Sequence, residues 1–284
     1  SGALLISAGE ALIQMSLAYA AAAIAQMNAI RKANYEIAQA TGGTQGHMEA
    51  IIGARQELLN YGMSTAEASQ ALIGLSNTMY GFNRLSAQSK ETMVVFAAQL
   101  DLIGLAAQQT SELMNILTAA YGDHALGQRQ AMDDIERVAM ASQNMTGGIT
   151  KGLTELQNAL PDLRKFGDGA TDVFMGMKAV SEATKISMET LLSLGKKMDT
   201  FTGAADMAGQ LNALMGMQLS TSELLLASDE ERLLMIKEQF DAQGRSFEQM
   251  GRFEKIALAQ AAGFQSVDEA ARFFNASLGD IAAN

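Results

Sequence analysis

The chain has no cysteine, no tryptophan and one proline in 284 residues, and aromatic side chains make up 6%. Without cysteine it has neither a disulfide framework nor a thiolate for catalysis or metal binding, which fits maturation in a reducing cytosol. Scarce proline leaves room for many uninterrupted helices, and Pro161 itself, followed by Asp162, is expected at a helix start, where a missing N–H costs little. Basic charge is also short: 20 Lys and Arg face 31 Asp and Glu, for a net charge of -11. The basic residues come in pairs at most, at Arg31-Lys32, Arg164-Lys165 and Lys196-Lys197. No basic stripe interleaved with aromatics exists, so specific nucleic-acid binding is not expected. The opening has no basic n-region of a signal peptide. The sequence starts at Ser1 and stops in "SLGDIAAN" without a closing feature, which reads as a portion of a longer polypeptide.

What remains is apolar, glycine-punctuated and helical. Hydrophobic residues are 48%, enough to bury a core, and 19 of the residues are Met, a flexible gap-filler that predicts a soft core. The 26 glycines supply many helix stops. No run of alternating β-branched residues marks a strand, so the fold class is all-α: many short helices in consecutive helical hairpins plus one long apolar N-terminal helix, part of an oligomeric bundle.

That N-terminal helix belongs to region 1–41. From Ala11 to Ile30 no charge interrupts twenty residues. Ile13, Leu17, Ala20, Ile24 and Met27 form a stripe at helix-packing spacing, and Leu5, Leu12, Met15 and Tyr19 form a second. The stripe reads either as an oligomer contact or as a membrane-inserting segment; the length could span a bilayer, but Gln14, Ser16, Gln26, Asn28 and much Ala argue for a helix buried in a bundle. Thr41–Gly46 breaks it.

Region 47–145 then reads as helical hairpins. Ser64-Thr65-Ala66-Glu67 has the form of a capping box, as do Ser228–Glu231 and Ser266–Glu269. Residues Ser187–Met215, "SMETLLSLGKKMDTFTGAADMAGQLNALM", align without a gap on Ser89–Leu117. Leu191, Leu194, Met198 and Phe201 fall over Met93, Phe96, Leu100 and Ile103, and Leu211 over Leu113. A looser copy starts at Ser246, with Met250 and Phe253 in register. Duplication and shared Ala/Leu-rich composition both account for the match. In either case each unit is a helical hairpin whose packing residues are Leu191, Leu194, Met198, Phe201 and Leu211, and hairpins of this size need neighbours to cover their apolar face.

Chemistry is hard to find. His47 and His124 each lack a second ligand at helical spacing, so no metal and no catalytic residue is assigned. "GDGATD" at Gly167–Asp172 lacks a third glycine and a preceding strand, and reads as a helical turn with Gly at the C-cap. "LGKKM" at Leu194–Met198 is not a phosphate loop. Asp133, Asp134 and Glu136 read as a solvated helix face, and Asp229–Glu231 as an acidic first turn that complements the helix dipole. No cofactor is implied, and the function expected is non-enzymatic.

The stretch 146–284 nevertheless carries an order of features: Gly169 ending "GDG", Leu191-Leu192, Phe201 with Gly203-Ala204-Ala205, Leu211-Asn212, Glu230-Glu231-Arg232, then Gly263-Phe264 leading into "DEAARFF". In this order it resembles the tail tape-measure proteins of tailed bacteriophages and related contractile injection machines. The match is one of style and order, most specific in 146–274; the first half matches less specifically. The resemblance implies a structural virion protein that sets tail length during assembly, sits inside the tail tube near the baseplate and is expelled during DNA ejection. It also implies a trimer or hexamer, contacts with tail tube and baseplate hub proteins, transient membrane contact, and assembly in the host cytoplasm. Two other readings stay open: a helical membrane-active or pore-forming protein, argued from Ala11–Ile30, and a non-enzymatic helical scaffold or adaptor, argued from the hairpins.

Overall fold

The computed structural model describes residues 45–121, 125–145 and 147–282, with 18, 21–22, 25, 28, 31–32, 35–40 and 42 before them. Among the described residues there is no strand, and the chain runs through helices α1 (Gln45–Asn60), α2 (Thr65–Thr78), α3 (Ala87–Leu102), α4 (Ala107–Tyr121), α5 (Ala125–Ser142), α6 (Gly148–Leu163), α7 (Ala170–Thr184), α8 (Met188–Lys197), α9 (Phe201–Met215), α10 (Thr221–Leu226), α11 (Asp229–Ala242), α12 (Arg252–Ala261), α13 (Val267–Asn275) and α14 (Leu278–Ala282). Short 3-10 turns lie at Phe82–Arg84, Arg164–Gly169 and Phe247–Gln249. A long apolar N-terminal helix is not part of this description: Ile13, Leu17, Ala20, Ile24 and Met27 lie outside the described residues, as does His124. No described helix is long and apolar enough to cross a membrane.

The described residues within 1–115 and 123–128 form one compact unit, and those within 116–122 and 129–284 form another. In the first, α1, α2 and α3 pack together. Gly53 is the close-approach point of α1 and α3, since a Cβ there would lie 2.3 Å from Glu91 Oε2. Leu58, Leu72, Leu75, Phe82, Val94 and Ala97 are buried between them. His47 is buried too: its ring lies parallel to Phe82 at 6.1 Å, and its Nε2 pairs with Asn83 Oδ1 at 2.9 Å. Burial, and then the nearby Lys90 ammonium, push this imidazole below its ordinary pKa, against a smaller opposing effect of Asn83. His47 therefore pins the 3-10 turn rather than presenting a ligand.

In the second unit α7 is central, packing against α6, α8, α11 and α14. Pro161 lies inside α6 rather than at a helix start. Only two residues of α6 follow it before the 3-10 turn, so the interruption falls where the helix is already ending. Gly167, at φ 59 and ψ -127, turns the chain within "GDGATD" toward α7. The far end is closed by a ring cluster in which Phe240, Phe247, Phe264 and Phe273 all approach Phe274, at 4.5 to 6.0 Å between centroids. Methionine fills both cores: Met114 in the first unit and Met177 and Met198 in the second are fully buried, while Met140 on α5 is 62% exposed.

Candidate functional site

The α8–α9 hairpin singled out by the sequence is where the second unit gathers its buried charge. Ser187 caps α8, accepting the Thr190 N–H at 3.2 Å, and Thr200 caps α9, accepting the Gly203 N–H at 3.1 Å. Leu191, Leu194, Met198 and Leu211 are buried. Phe201 is not: it stands 70% exposed at the first position of α9. The two helices are broken at Asp199-Thr200, so the helical spacing that runs from Leu191 to Met198 does not carry on to Phe201. Its counterpart Ile103 is also exposed, while Met93, Phe96, Leu100 and Leu113 are buried, so the aligned hairpins bury and expose the same positions. Their ends differ: Ser187 is itself the cap of α8, whereas Ser89 lies inside α3, capped by Ser86. In the third copy Met250 is buried and Phe253 is 84% exposed.

Four charged side chains meet beside this hairpin. Arg232, on the first turn of α11, is buried and sends Nη1 to Asp229 Oδ1 at 2.7 Å and to Asp199 Oδ1 at 2.8 Å. Its Nε donates to Leu224 O at 2.6 Å, and Nη1 also reaches Gly195 O at 3.2 Å. Lys165, from the 3-10 turn before α7, pairs with Asp199 and with Asp229, the latter at 3.1 Å. Gly195 makes the approach possible, because a Cβ on it would lie 2.5 Å from Asp229 Cγ. One guanidinium thus ties together α8, the α8–α9 link, α10 and α11.

The electrostatics of the clasp are closed. Burial works to raise the Asp199 carboxyl, but hydrogen bonds and charge from Lys165 and Arg232 outweigh it and hold the group below the usual aspartate range. Asp229 goes the other way: burial raises it, Lys165 and Arg232 offset only part, and Asp199 adds to the rise. Two carboxylates are matched by two cations, so the cluster presents no surplus charge to a ligand. The acidic first turn expected on α11 is present as Asp229, Glu230 and Glu231, and Asp229 is in addition turned inward and paired.

A second cluster corrects another reading. Asp133 and Glu136 are exposed, but Asp134 is buried. It accepts hydrogen bonds from the Tyr121 hydroxyl, from Thr171 Oγ1 at 3.0 Å and from Arg137 Nη2 at 2.8 Å. Arg137 also reaches Asp172 at 2.7 Å. Burial first, and then Asp134, push the Tyr121 phenol well above its usual range, so it stays protonated. In a third cluster Lys178, buried on α7, pairs with Glu155 of α6 and with Glu182. Asp134 with Arg137 and Lys178 with Glu182 lie at helical spacing, whereas Tyr121, Thr171 and Glu155 reach these clusters only through the fold.

A cleft of about 640 Å³ lies between α6 and α8. Several of its polar groups are engaged: Asp162 pairs with Lys196 at 2.8 Å, Glu155 with Lys178, and the Ser187 hydroxyl with the cap of α8. Among the described residues no group of three His, Cys, Asp or Glu side chains is placed to hold a metal ion. The arrangement fixes helix ends against one another. No family model matches the chain, and neither a curated protein nor a solved structure does.

Proposed function

We propose that the chain is a structural component of a phage tail or related injection machine, acting as a tape measure by packing and length. The observation that carries the reading is the ordered set of features from Gly169 through Phe201, Leu211-Asn212, Glu230-Glu231-Arg232 and Gly263-Phe264 to "DEAARFF". Two observations support it. The described chain is a succession of short helices, many of them capped by a side chain, so most of its contacts are local and can be packed and unpacked piecemeal. The charges of the Arg232 clasp in the second unit are matched to one another. The same reading carries a homotrimer or homohexamer lying inside the tail tube near the baseplate, with tube and hub proteins as partners. The net charge of -11 keeps such a chain from adhering to the genome that follows it.

The test is stoichiometry. Peptides of this chain are quantified against the main tube protein in purified intact tails by mass spectrometry. A handful of copies per tail, far below the tube subunit, is expected, and deletion of the 187–215 hairpin should then shorten the tail. A copy number near that of the tube subunit, or absence from tails, overturns the reading.

A further inference from the structure

Helix α11 begins with three consecutive acidic residues, and the middle one lacks a partner for its charge. Glu230 Oε2 is buried with no hydrogen bond, and so is the Ser228 hydroxyl two residues earlier. The seat is made by a glycine: a Cβ at Gly176 of α7 would lie 2.6 Å from Glu230 Cγ. Burial raises the Glu230 carboxyl above the usual glutamate range. Its own N–H and the Ser228 hydroxyl, which lies beside it outside hydrogen-bonding geometry, offset part of the rise, while Glu231 and Asp229 add to it.

Beside the seat is a cleft of about 420 Å³, lined by Glu230, Arg137, Asp172 and apolar side chains including Met175, Leu234 and Ile281. The charged groups facing Glu230 are therefore Asp229 and Glu231 on its own helix, Arg137 from α5 and Asp172 from α7; α14 contributes the apolar Ile281. Arg137 is half-exposed and shared between Asp134 and Asp172.

We propose that Glu230 is a proton-dependent wedge between α11 and α7, seated on Gly176 when neutral and swung into the cleft toward Arg137 when ionised. A neutral carboxyl tolerates the seat, because its desolvation cost is small and its O–H can be offered to the orphaned Ser228 oxygen. An ionised one meets low dielectric and two carboxylate neighbours on its own helix, against which its own N–H and the Ser228 hydroxyl offset only part, so it leaves for water and the guanidinium. The rest of α11 stays anchored through Arg232, which confines the movement to the contact with α7.

The test is amide hydrogen exchange on the full chain, read by mass spectrometry from about pH 5 to about pH 8 and corrected for intrinsic exchange. Protection of α7 and the start of α11 is expected to fall as pH rises. Glu230→Gln keeps the size without the charge; it should abolish that fall and raise protection at the upper pH above that of the wild type. Peptides of α1–α3 serve as the internal reference. Wild-type protection that does not change with pH, or the same fall in Glu230→Gln, overturns the proposal. Gly176→Ala fills the seat and evicts Glu230 at every pH, so α7 and α11 should show low, pH-independent protection. Wild-type behaviour in that variant also overturns it.

Discussion

Arg232 concentrates more of the second unit's geometry than any neighbouring side chain, because its donors meet two carboxylates and the ends of two other helices. Truncation to alanine leaves Asp229, 1% exposed, with Lys165 as its one cation. Arg232→Ala should therefore cost about 3 kcal/mol or more in urea denaturation. Glycines separate packing from propensity in the same region. Gly195→Ala drives a methyl into Asp229 and should cost about 1–3 kcal/mol. At Gly209, inside α9, a Cβ would meet nothing within 4 Å, so Gly209→Ala should stabilise by up to about 1 kcal/mol in the same assay. The clasp also fixes a sign for acid behaviour. Asp199 is held below its usual value of 3.8, so its contribution is present above that value and lost as pH falls through the depressed pKa. Asp199→Asn should flatten the dependence of the urea midpoint below pH 3.8, where wild type loses stability.

At the scale of elements, the sequence is a good guide to where helices begin and a poor one to which way they face. The three boxes expected from Ser-x-x-Glu all sit at helix starts, yet they close differently. Ser64 and Glu67 bond reciprocally, at 3.3 and 2.6 Å. Glu231 reaches back to the Ser228 N–H while the Ser228 hydroxyl stays unpartnered. Glu269 bonds one residue earlier, to the Gln265 N–H. Caps are local and legible; how they finish depends on what packs above them. The same limit explains Asp134, which the helix pattern reads as solvated: its cation Arg137 lies three residues on, but the Tyr121 and Thr171 hydroxyls that meet it come from other helices. Ser64→Ala should cost about 1 kcal/mol by thermal denaturation. For the hairpin, Met198→Ala should cost about 2–5 kcal/mol, whereas exposed Phe201→Ala should stay within about 0.5 kcal/mol.

For the whole molecule, the all-α class followed from what is scarce in the composition, and among the described residues there are helices and no strand. The clasp and the wedge were not legible, since both depend on contacts between residues tens of positions apart, as from Lys165 to Asp229. The methionine-rich core has a consequence of its own. Hydrogen peroxide converts accessible thioether to sulfoxide, and with no cysteine in the chain nothing thiol-based competes for the reagent. Among the described methionines Met140, 62% exposed, would be modified first, while Met114, Met177 and Met198 are shielded until their surroundings part. These side chains form a chemical clock that the fold itself sets: their order of modification records which core opens, and when, in the free chain or inside any particle that contains it.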